Sequence, residues 1–133
     1  MAAVANVDIV RSVTDAFNRR DVVGVLALMT ADAQIDWTRS LGPLAGVYRG
    51  HDEISAFLHD TWEVFESFEV DVLEFIEADS GVVTPNRVRA LGRGGIPLSG
   101  ESTHLFRLEG GLVSLMRLYQ QRDEALADAG PRA

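Results

Sequence analysis

Hydrophobic residues in the first half of the chain recur at the three- and four-residue spacing of amphipathic helices. Residues 7–17 place their large apolar side chains on one face, which predicts a first helix. Asp21 is placed to cap a second helix running to Met29, and residues 51–65 begin with an acidic turn that suits a helix N-terminus. The buried stripe predicted for this third helix consists of Ile54, Phe57, Leu58, Thr61 and Trp62.

The second half of the chain changes to the two-residue alternation of β-strands. One short strand over residues 31–40 already precedes the third helix, with Ile35 and Trp37 on one face, and a loop rich in Gly and Pro follows it. This order predicts an α+β fold in which three N-terminal helices pack on a curved, mostly antiparallel sheet. The polar, Ala-rich tail, residues 122–133, is expected to be a frayed turn of helix. The four later strands are predicted over residues 68–78, 81–92, 96–109 and 112–121.

The last predicted strand is apolar on both faces, which is unusual for a sheet with one wet side. Met116 and Leu118 lie on one face, and Val113, Leu115 and Tyr119 on the other. Since the three helices cover only one face, the second face is predicted to meet another copy of the chain in a homodimer. The alternative is a set of ordinary exposed apolar residues.

Composition narrows the class of protein. A chain of 133 residues matches a single domain, so residues 1–133 are taken as one unit. A net charge of −8 argues against nucleic acid or an anionic membrane surface as a partner. The chain has no Cys and no apolar run long enough to span a membrane, and a cytoplasmic location is expected. No His or carboxylate spacing predicts a metal site, and no cofactor is expected.

His104 is the main candidate for chemistry because it shares a strand face with Phe106 and Leu108. A neutral imidazole in a pocket can accept or donate a proton near neutral pH. Its neighbours depend on the following hairpin. A three-residue loop pairs His104 with Met116 and brings Gln120 to the same face, whereas a two-residue loop sets His104 opposite Arg117. The sequence leaves both registers open.

Four motifs carry a resemblance to a known family: "AFNRRD", "GVYRG", "HLFRLEGG" and "LMRLY". Together with the order of elements, they make residues 7–122 similar to the SnoaL-like branch of the nuclear-transport-factor-two-like superfamily. The resemblance implies a cone-shaped fold whose helices and bent sheet enclose a deep, mostly apolar pocket. It also implies kinship with polyketide cyclases, ketosteroid isomerases and limonene-epoxide-type hydrolases. Fold alone does not select among these activities.

The positions that resemble the family's catalytic residues lack the expected carboxylates. The base of the ketosteroid isomerases falls on Trp37, and their oxyanion donors fall on Val13 and His104. The arginine of the epoxide hydrolases matches Arg87, but their two aspartates fall on Arg89 and Gln120. The cyclases resemble this chain at His104, yet their acidic residue again falls on Gln120, and an amide is no general base. The resemblance therefore implies a different reaction or none.

The remaining candidates for ligand contact are aromatic or basic. Trp37, Phe57 and Trp62 are predicted to line or plug the pocket, with plain core packing as the alternative. Tyr48 is placed at the pocket mouth or on a surface loop. Arg87 and Arg89 share a strand face; pointed inward they would attract an anionic ligand, and pointed outward they are surface arginines. The full predicted set is His104 as the acid or base, and Trp37, Tyr48, Phe57, Trp62, Arg87, Arg89, Met116 and Gln120 as ligand contacts.

Two functions stay open at this point. The first is a cofactor-independent isomerase, cyclase or hydrolase acting on a hydrophobic oxygenated molecule such as a polyketide, terpenoid or steroid, with His104 as acid or base. The second is a non-catalytic carrier or sensor of a lipophilic ligand. An interaction module is a lesser third possibility, which a solid interior would favour.

Overall fold

The computed structural model describes residues 5–131 and has the predicted α+β architecture, with a curved, open and mostly antiparallel sheet. The assignment of residues 1–133 to one domain stays a prediction. The helices are α1 (Asn6–Asn18), α2 (Val22–Ala27), α3 (Gly50–Val64) and α4 (Arg122–Ala129). The strands are β1 (Met29–Asp36), β2 (Val47–Arg49), β3 (Phe65–Val72), β4 (Ile76–Ala78), β5 (Gly81–Gly92), β6 (Pro97–Glu109) and β7 (Leu112–Tyr119).

The N-terminal helices form for the local reasons the sequence indicates. Asp21 caps α2 by accepting a hydrogen bond from the backbone N–H of Gly24 at 2.9 Å. A Cβ atom at position 24 would lie too close to that carboxylate, so any larger residue there would require the Asp21 side chain to shift. The helix α2 ends earlier than expected because Met29 already belongs to β1. All five residues of the stripe predicted on α3 are buried.

The strands form one sheet in the order β2-β1-β7-β6-β5-β3, with β4 paired to β5. Every pair is antiparallel except β1 and β7, the first and last strands, which run parallel. The helices α1, α2 and α3 pack on one face, which we call the inner face. The run predicted as one strand over residues 68–78 is divided, because the chain leaves the sheet at Leu73 and returns as β4.

The hairpin between β6 and β7 follows neither register considered from the sequence. Glu109 pairs with Leu112 across a two-residue Gly110-Gly111 loop, and both glycines have positive φ, as a tight hairpin turn requires. A bulge then shifts the register between Arg107 and Leu108. As a result His104 pairs with Leu118, and Phe106 takes the pairing with Met116 that was expected for His104.

Residues 122–129 of the tail form a complete helix instead of the frayed turn expected from the sequence, and residues 132–133 lie outside the described residues. The helix α4 packs on the outer face of the sheet, against β5, β6 and β7. Tyr119 donates a hydrogen bond to the carboxylate of Asp128 on α4. This helix therefore covers much of the apolar outer surface that had been assigned to a second copy of the chain. The buried cluster beneath it contains Ile76, Ala78, Val83, Leu105, Tyr119, Ala125 and Ala129.

The bulge also places Val113 on the face opposite to the one predicted from the sequence. Because the register shifts beside it, Val113 is fully buried in the inner core with α1 to α3, while Tyr119 lies in the outer cluster.

Among residues 5–131, no helix is long and apolar enough to cross a membrane. The cytoplasmic location expected from the sequence stays a prediction.

Candidate functional site

A cavity of about 160 Å³ lies between the inner face of the sheet and the helices α1, α2 and α3. All of the described residues that line it are uncharged, and most are apolar. One side is formed by the strands β1, β6 and β7, and the opposite side by β3. The interior is therefore hollow, as the resemblance implied. The loop after β1 contributes its mouth through Ser40, Gly42, Pro43 and Leu44.

His104 is the most polar group that lines this cavity. Its ring centroid lies 5.4 Å from that of Trp37 and 6.0 Å from that of Phe106, so the imidazole is held between aromatic side chains. The residue is only 6% exposed. Its Nε2 atom is fully buried and has no hydrogen-bond partner among residues 5–131. Since a buried polar atom without a partner costs about 1–3 kcal/mol, this nitrogen is a site of unused binding capacity.

Burial determines the charge state of His104. Removal of the ring from water lowers the pKa of His104 from 6.5 to about 4, because the charged form loses its hydration. The imidazole is therefore neutral at pH 7, with one nitrogen able to donate and the other able to accept a hydrogen bond. A base with a pKa near 4 is weak at neutral pH, so the ring is better suited to holding a polar group than to removing a proton.

Asp36, the carboxylate next to Trp37 at the end of β1, cannot assist the imidazole. Asp36 points to the outer face of β1, opposite to Trp37, as its position in the strand predicts. There it accepts a hydrogen bond from the guanidinium of Arg117 at 2.9 Å. Among the described residues, no cluster of three His, Cys, Asp or Glu has the geometry to hold a metal ion.

Three of the predicted ligand contacts line the cavity. Trp37 and Phe57 pack edge to face with their ring centroids 5.4 Å apart, and Met116 lies beside Phe106 on the inner face of the sheet. Met116 reaches the cavity from β7 even though it is not the direct neighbour of His104. Their role in binding a ligand is untested and stays a prediction.

Tyr48 and Trp62 lie behind the lining and do not form it. The Tyr48 ring packs on Phe57 at 4.6 Å, and its hydroxyl donates to the carbonyl of Leu44 at 2.6 Å, which holds the loop at the mouth. Trp62 is 8% exposed and packs on Phe17, which is itself a lining residue. Both residues therefore support the cavity wall, and neither contacts the open space.

Arg87 and Arg89 point away from the cavity, which settles the orientation that the sequence left open. Both side chains lie on the exposed outer face. Arg89 binds Asp71 at 2.9 Å and Glu69 at 3.0 Å, and Arg87 lies 3.4 Å from Glu101. Their expected contact with a ligand is wrong for this cavity, because the alternation of β5, which turns Thr84 and Asn86 inward, turns both arginines to the other side of the sheet.

Gln120 is also displaced from its predicted place beside His104. With the two-residue hairpin and the bulge, Leu118 is the β7 residue opposite His104. The amide of Gln120 donates instead to the backbone carbonyl of Arg39 at 2.8 Å. Gln120 therefore fixes the start of the loop at the cavity mouth.

Two inward-facing polar residues of β5 were not singled out from the sequence. Thr84 pairs with His104, and Asn86 pairs with Ser102 on β6 and Val72 on β3. Both residues are 0% exposed. The alternation in "VVTPNRV" places Thr84 and Asn86 on one face of the strand, but only the structure shows that this face is buried.

Comparison with known proteins supports this architecture. A family model described as a SnoaL-like domain matches residues 10–116. No curated protein matches the chain significantly. A structure of an NTF2-like protein of unknown function from Burkholderia pseudomallei is 27% identical, with a TM-score of 0.78, and the match covers 95% of this chain and 98% of that one.

Two further similar structures contain small molecules. The protein Rv0760c from Mycobacterium tuberculosis, in complex with estradiol-17beta-hemisuccinate, is 20% identical with a TM-score of 0.76, covering 89% of this chain and 95% of that one. TerC, co-crystallized with polyporic acid, is 22% identical with a TM-score of 0.77, covering 93% and 96%. At these identities the likeness concerns the fold. Because the family model spans most of the chain, and the hollow α+β fold agrees with it, this protein belongs to the SnoaL-like domain family.

Proposed function

We propose that the protein binds an uncharged, oxygen-bearing hydrophobic molecule in the cavity, and that His104 holds the polar group of that molecule. The observation that carries the proposal is a neutral, partner-free imidazole on the wall of a cavity whose described lining residues are all uncharged. Such a site favours a hydroxyl or carbonyl group over a carboxylate, because an anion would be buried there without a counter-charge.

The size of the cavity limits how much of the ligand is enclosed. An engineered apolar cavity of about 150 Å³ in another protein accommodates benzene. At about 160 Å³, the cavity encloses about one six-membered ring. A larger polyketide, terpenoid or steroid-like molecule would place one ring inside and leave the rest at the mouth. The ligands of Rv0760c and TerC contain rings, which supports the enclosure of a ring by this fold; the hemisuccinate of the Rv0760c ligand carries a carboxylate, which the ligand proposed here lacks.

Two forms of this function differ in what His104 does. In the carrier or sensor form, the imidazole only donates or accepts a hydrogen bond. In the enzyme form, an isomerase, cyclase or hydrolase, it also transfers one proton to or from the ligand. The low pKa of His104 and the outward position of Asp36 favour the carrier form, because a carboxylate partner would be needed to raise the basicity of the ring.

The test measures binding of phenol and benzoate by isothermal titration at pH 7. We expect wild-type protein to bind phenol and to bind benzoate at least about tenfold more weakly, since the carboxylate must lose its hydration. His104→Leu, which keeps apolar volume but removes both nitrogens, should weaken phenol binding about fivefold or more. His59→Leu on the exposed side of α3 serves as the matched control. Equal affinity for phenol in wild type and His104→Leu would refute the role of His104.

We also propose that two copies of the chain associate through the part of the outer sheet face that α4 leaves open. Arg87 and Arg89 form exposed ion pairs there with acidic residues of neighbouring strands, so a two-fold related copy would meet a surface carrying both charge signs. Sedimentation equilibrium tests this proposal. A single species at the mass of one chain, 14.5 kDa, would contradict it.

A further inference from the structure

Three polar side chains without partners lie together beside the cavity: His104 lines the open space, and Thr84 and Asn86 are fully buried next to it on the same face of the sheet. The Oγ1 atom of Thr84, both amide atoms of Asn86 and the Nε2 atom of His104 are fully buried, and none has a hydrogen-bond partner among residues 5–131. Because each such atom costs about 1–3 kcal/mol, a group of four in one place is a substantial cost that packing alone does not explain.

The sheet places these groups on one face. Thr84 lies directly across from His104 in the antiparallel pair of β5 and β6, so their Cβ atoms are about 5 Å apart. Asn86 is two residues further along β5 and therefore points to the same face. The three side chains form a continuous polar patch, which we call the polar floor.

The polar floor lies between two walls of the cavity. Phe68 and Val70 of β3 line one side, and His104 and Phe106 of β6 line the other. Since β5 runs between β3 and β6, its inward side chains lie between these two walls, although no described residue of β5 lines the open space itself. Thr84 and Asn86 are 0% exposed and do not line the open space, so a ligand group would reach them only if the side chains that cover them moved aside.

The chemistry of the polar floor is neutral and mixed. Thr84 can donate and accept, and Asn86 carries two donor hydrogens beside a carbonyl acceptor. None of the three groups is charged at pH 7, and no Asp, Glu or Arg is among the described residues that line the cavity. Such a set complements an oxygen that both donates and accepts, as in a hydroxyl group, or a carbonyl oxygen.

We propose that Thr84 and Asn86 form, with His104, a polar subsite that takes the hydroxyl or carbonyl oxygen of the ligand. This inference rests on the proposed binding function and assigns its selectivity for an oxygenated group to β5. The proposal predicts that substitution of Thr84 or Asn86 by an apolar residue reduces selectivity for an oxygenated ligand but does not lower the stability of the unliganded protein. A purely structural role would predict lower stability with unchanged selectivity.

The first measurement is the ratio of the affinities for phenol and toluene, which differ by a hydroxyl in place of a methyl group. We expect wild-type protein to prefer phenol about fivefold or more. Thr84→Val and Asn86→Leu should each reduce this preference at least about threefold while toluene binding is kept. Thr103→Val is the matched control, because Thr103 is a buried Thr on β6 that points to the opposite face.

The second measurement is the melting temperature without ligand. Removing a partner-free polar atom in a shape-matched substitution leaves stability unchanged or raises it. Thr84→Val and Asn86→Leu should therefore melt at or above the wild-type temperature. Two variants are used because Leu is bulkier than Asn, and Thr84→Val alone suffices if Asn86→Leu does not fold.

The outcomes separate the two proposals. If neither phenol nor toluene binds the wild-type protein, the proposed function is refuted, and the subsite with it. If phenol selectivity is lost in His104→Leu but kept in Thr84→Val and any folded Asn86→Leu protein, the function stands and the subsite is refuted. Lower melting temperatures for both variants, with unchanged selectivity, would identify the polar floor as a structural feature only.

Discussion

Acidification should destabilise this protein through one buried side chain, His104. In the folded protein the pKa of His104 is about 4, against 6.5 for an exposed imidazole, because burial opposes the charged form. Between these two values the unfolded chain binds a proton at this residue and the folded chain does not. The protein therefore keeps its full stability with respect to His104 above about pH 6.5, and it loses stability through this residue as the pH falls toward 4.

The magnitude follows from the size of the shift. One pKa unit corresponds to about 1.4 kcal/mol, so the full loss due to His104 is roughly 3 kcal/mol at pH 4 and roughly 2 kcal/mol at pH 5. A domain of this size has a total stability of about 5–15 kcal/mol. The loss at a single residue is thus a large part of the whole, and it should be readily measured.

The assay compares urea unfolding of wild type and His104→Leu at half-unit steps from pH 7.5 to pH 4, followed by tryptophan fluorescence. Other titrating groups are common to both proteins, so their contributions cancel in the difference. We expect the wild-type stability to fall relative to the variant by roughly 2 kcal/mol between pH 7 and pH 5. Parallel stability curves over this range would refute the claim that His104 is buried in its neutral form.

Two further predictions concern the backbone of β5 and the loop at the cavity mouth. Gly81→Ala should lower the free energy of unfolding by about 3 kcal/mol or more in thermal or urea unfolding, because the new Cβ would lie 1.9 Å from the carbonyl oxygen of Phe106. The control Gly100→Ala places its Cβ with no atom within 4 Å and should stay within about 1 kcal/mol of wild type. Equal effects of the two substitutions would contradict this prediction. Gln120→Leu should speed amide hydrogen exchange in residues 38–46 several-fold, because it removes the hydrogen bond to the Arg39 carbonyl. The control Gln121→Leu, at an exposed position, should leave exchange in this loop unchanged. Unchanged exchange in the Gln120→Leu variant would show that Gln120 does not hold the loop.

The helices and the fold class follow from the sequence because apolar spacing is a local signal. The stripe from Ile54 to Trp62 is buried as predicted, and Asp21 caps α2 through the bond that its position suggests. The resemblance added the hollow interior, which spacing alone does not give. His104, Trp37, Phe57 and Met116 all line the cavity.

The errors concern relations between distant strands. The bulge next to Leu108 changes every later pairing in the hairpin, and no residue type in that stretch requires a bulge. Gln120 was consequently misplaced, although its side chain does face the mouth loop. The polar composition of the Ala-rich tail predicts a frayed turn of helix. In the structure, Ala125 and Ala129 give α4 a small, close-packing face that lies on the sheet.

The polar floor was missed for a different reason. Thr and Asn are residue types that are mostly exposed in folded proteins, so the identity of Thr84 and Asn86 gave no reason to expect them to be buried. Their importance appears only when β5 is known to lie between two other strands and under helices. A polar residue becomes informative once its burial is known, and burial depends on the whole fold.

The parallel pairing of β1 with β7 has a consequence for how this chain acquires its structure. The strand β1 obtains its neighbour in the middle of the sheet only from β7, about eighty residues later, so the β1–β2 pair stays detached while the intervening strands are being synthesised. Contacts so far apart in sequence slow folding, because a long loop must close before they contribute. On the ribosome, the sheet cannot be completed until β7 has emerged, and until then its inner apolar side chains are a target for chaperones and for aggregation.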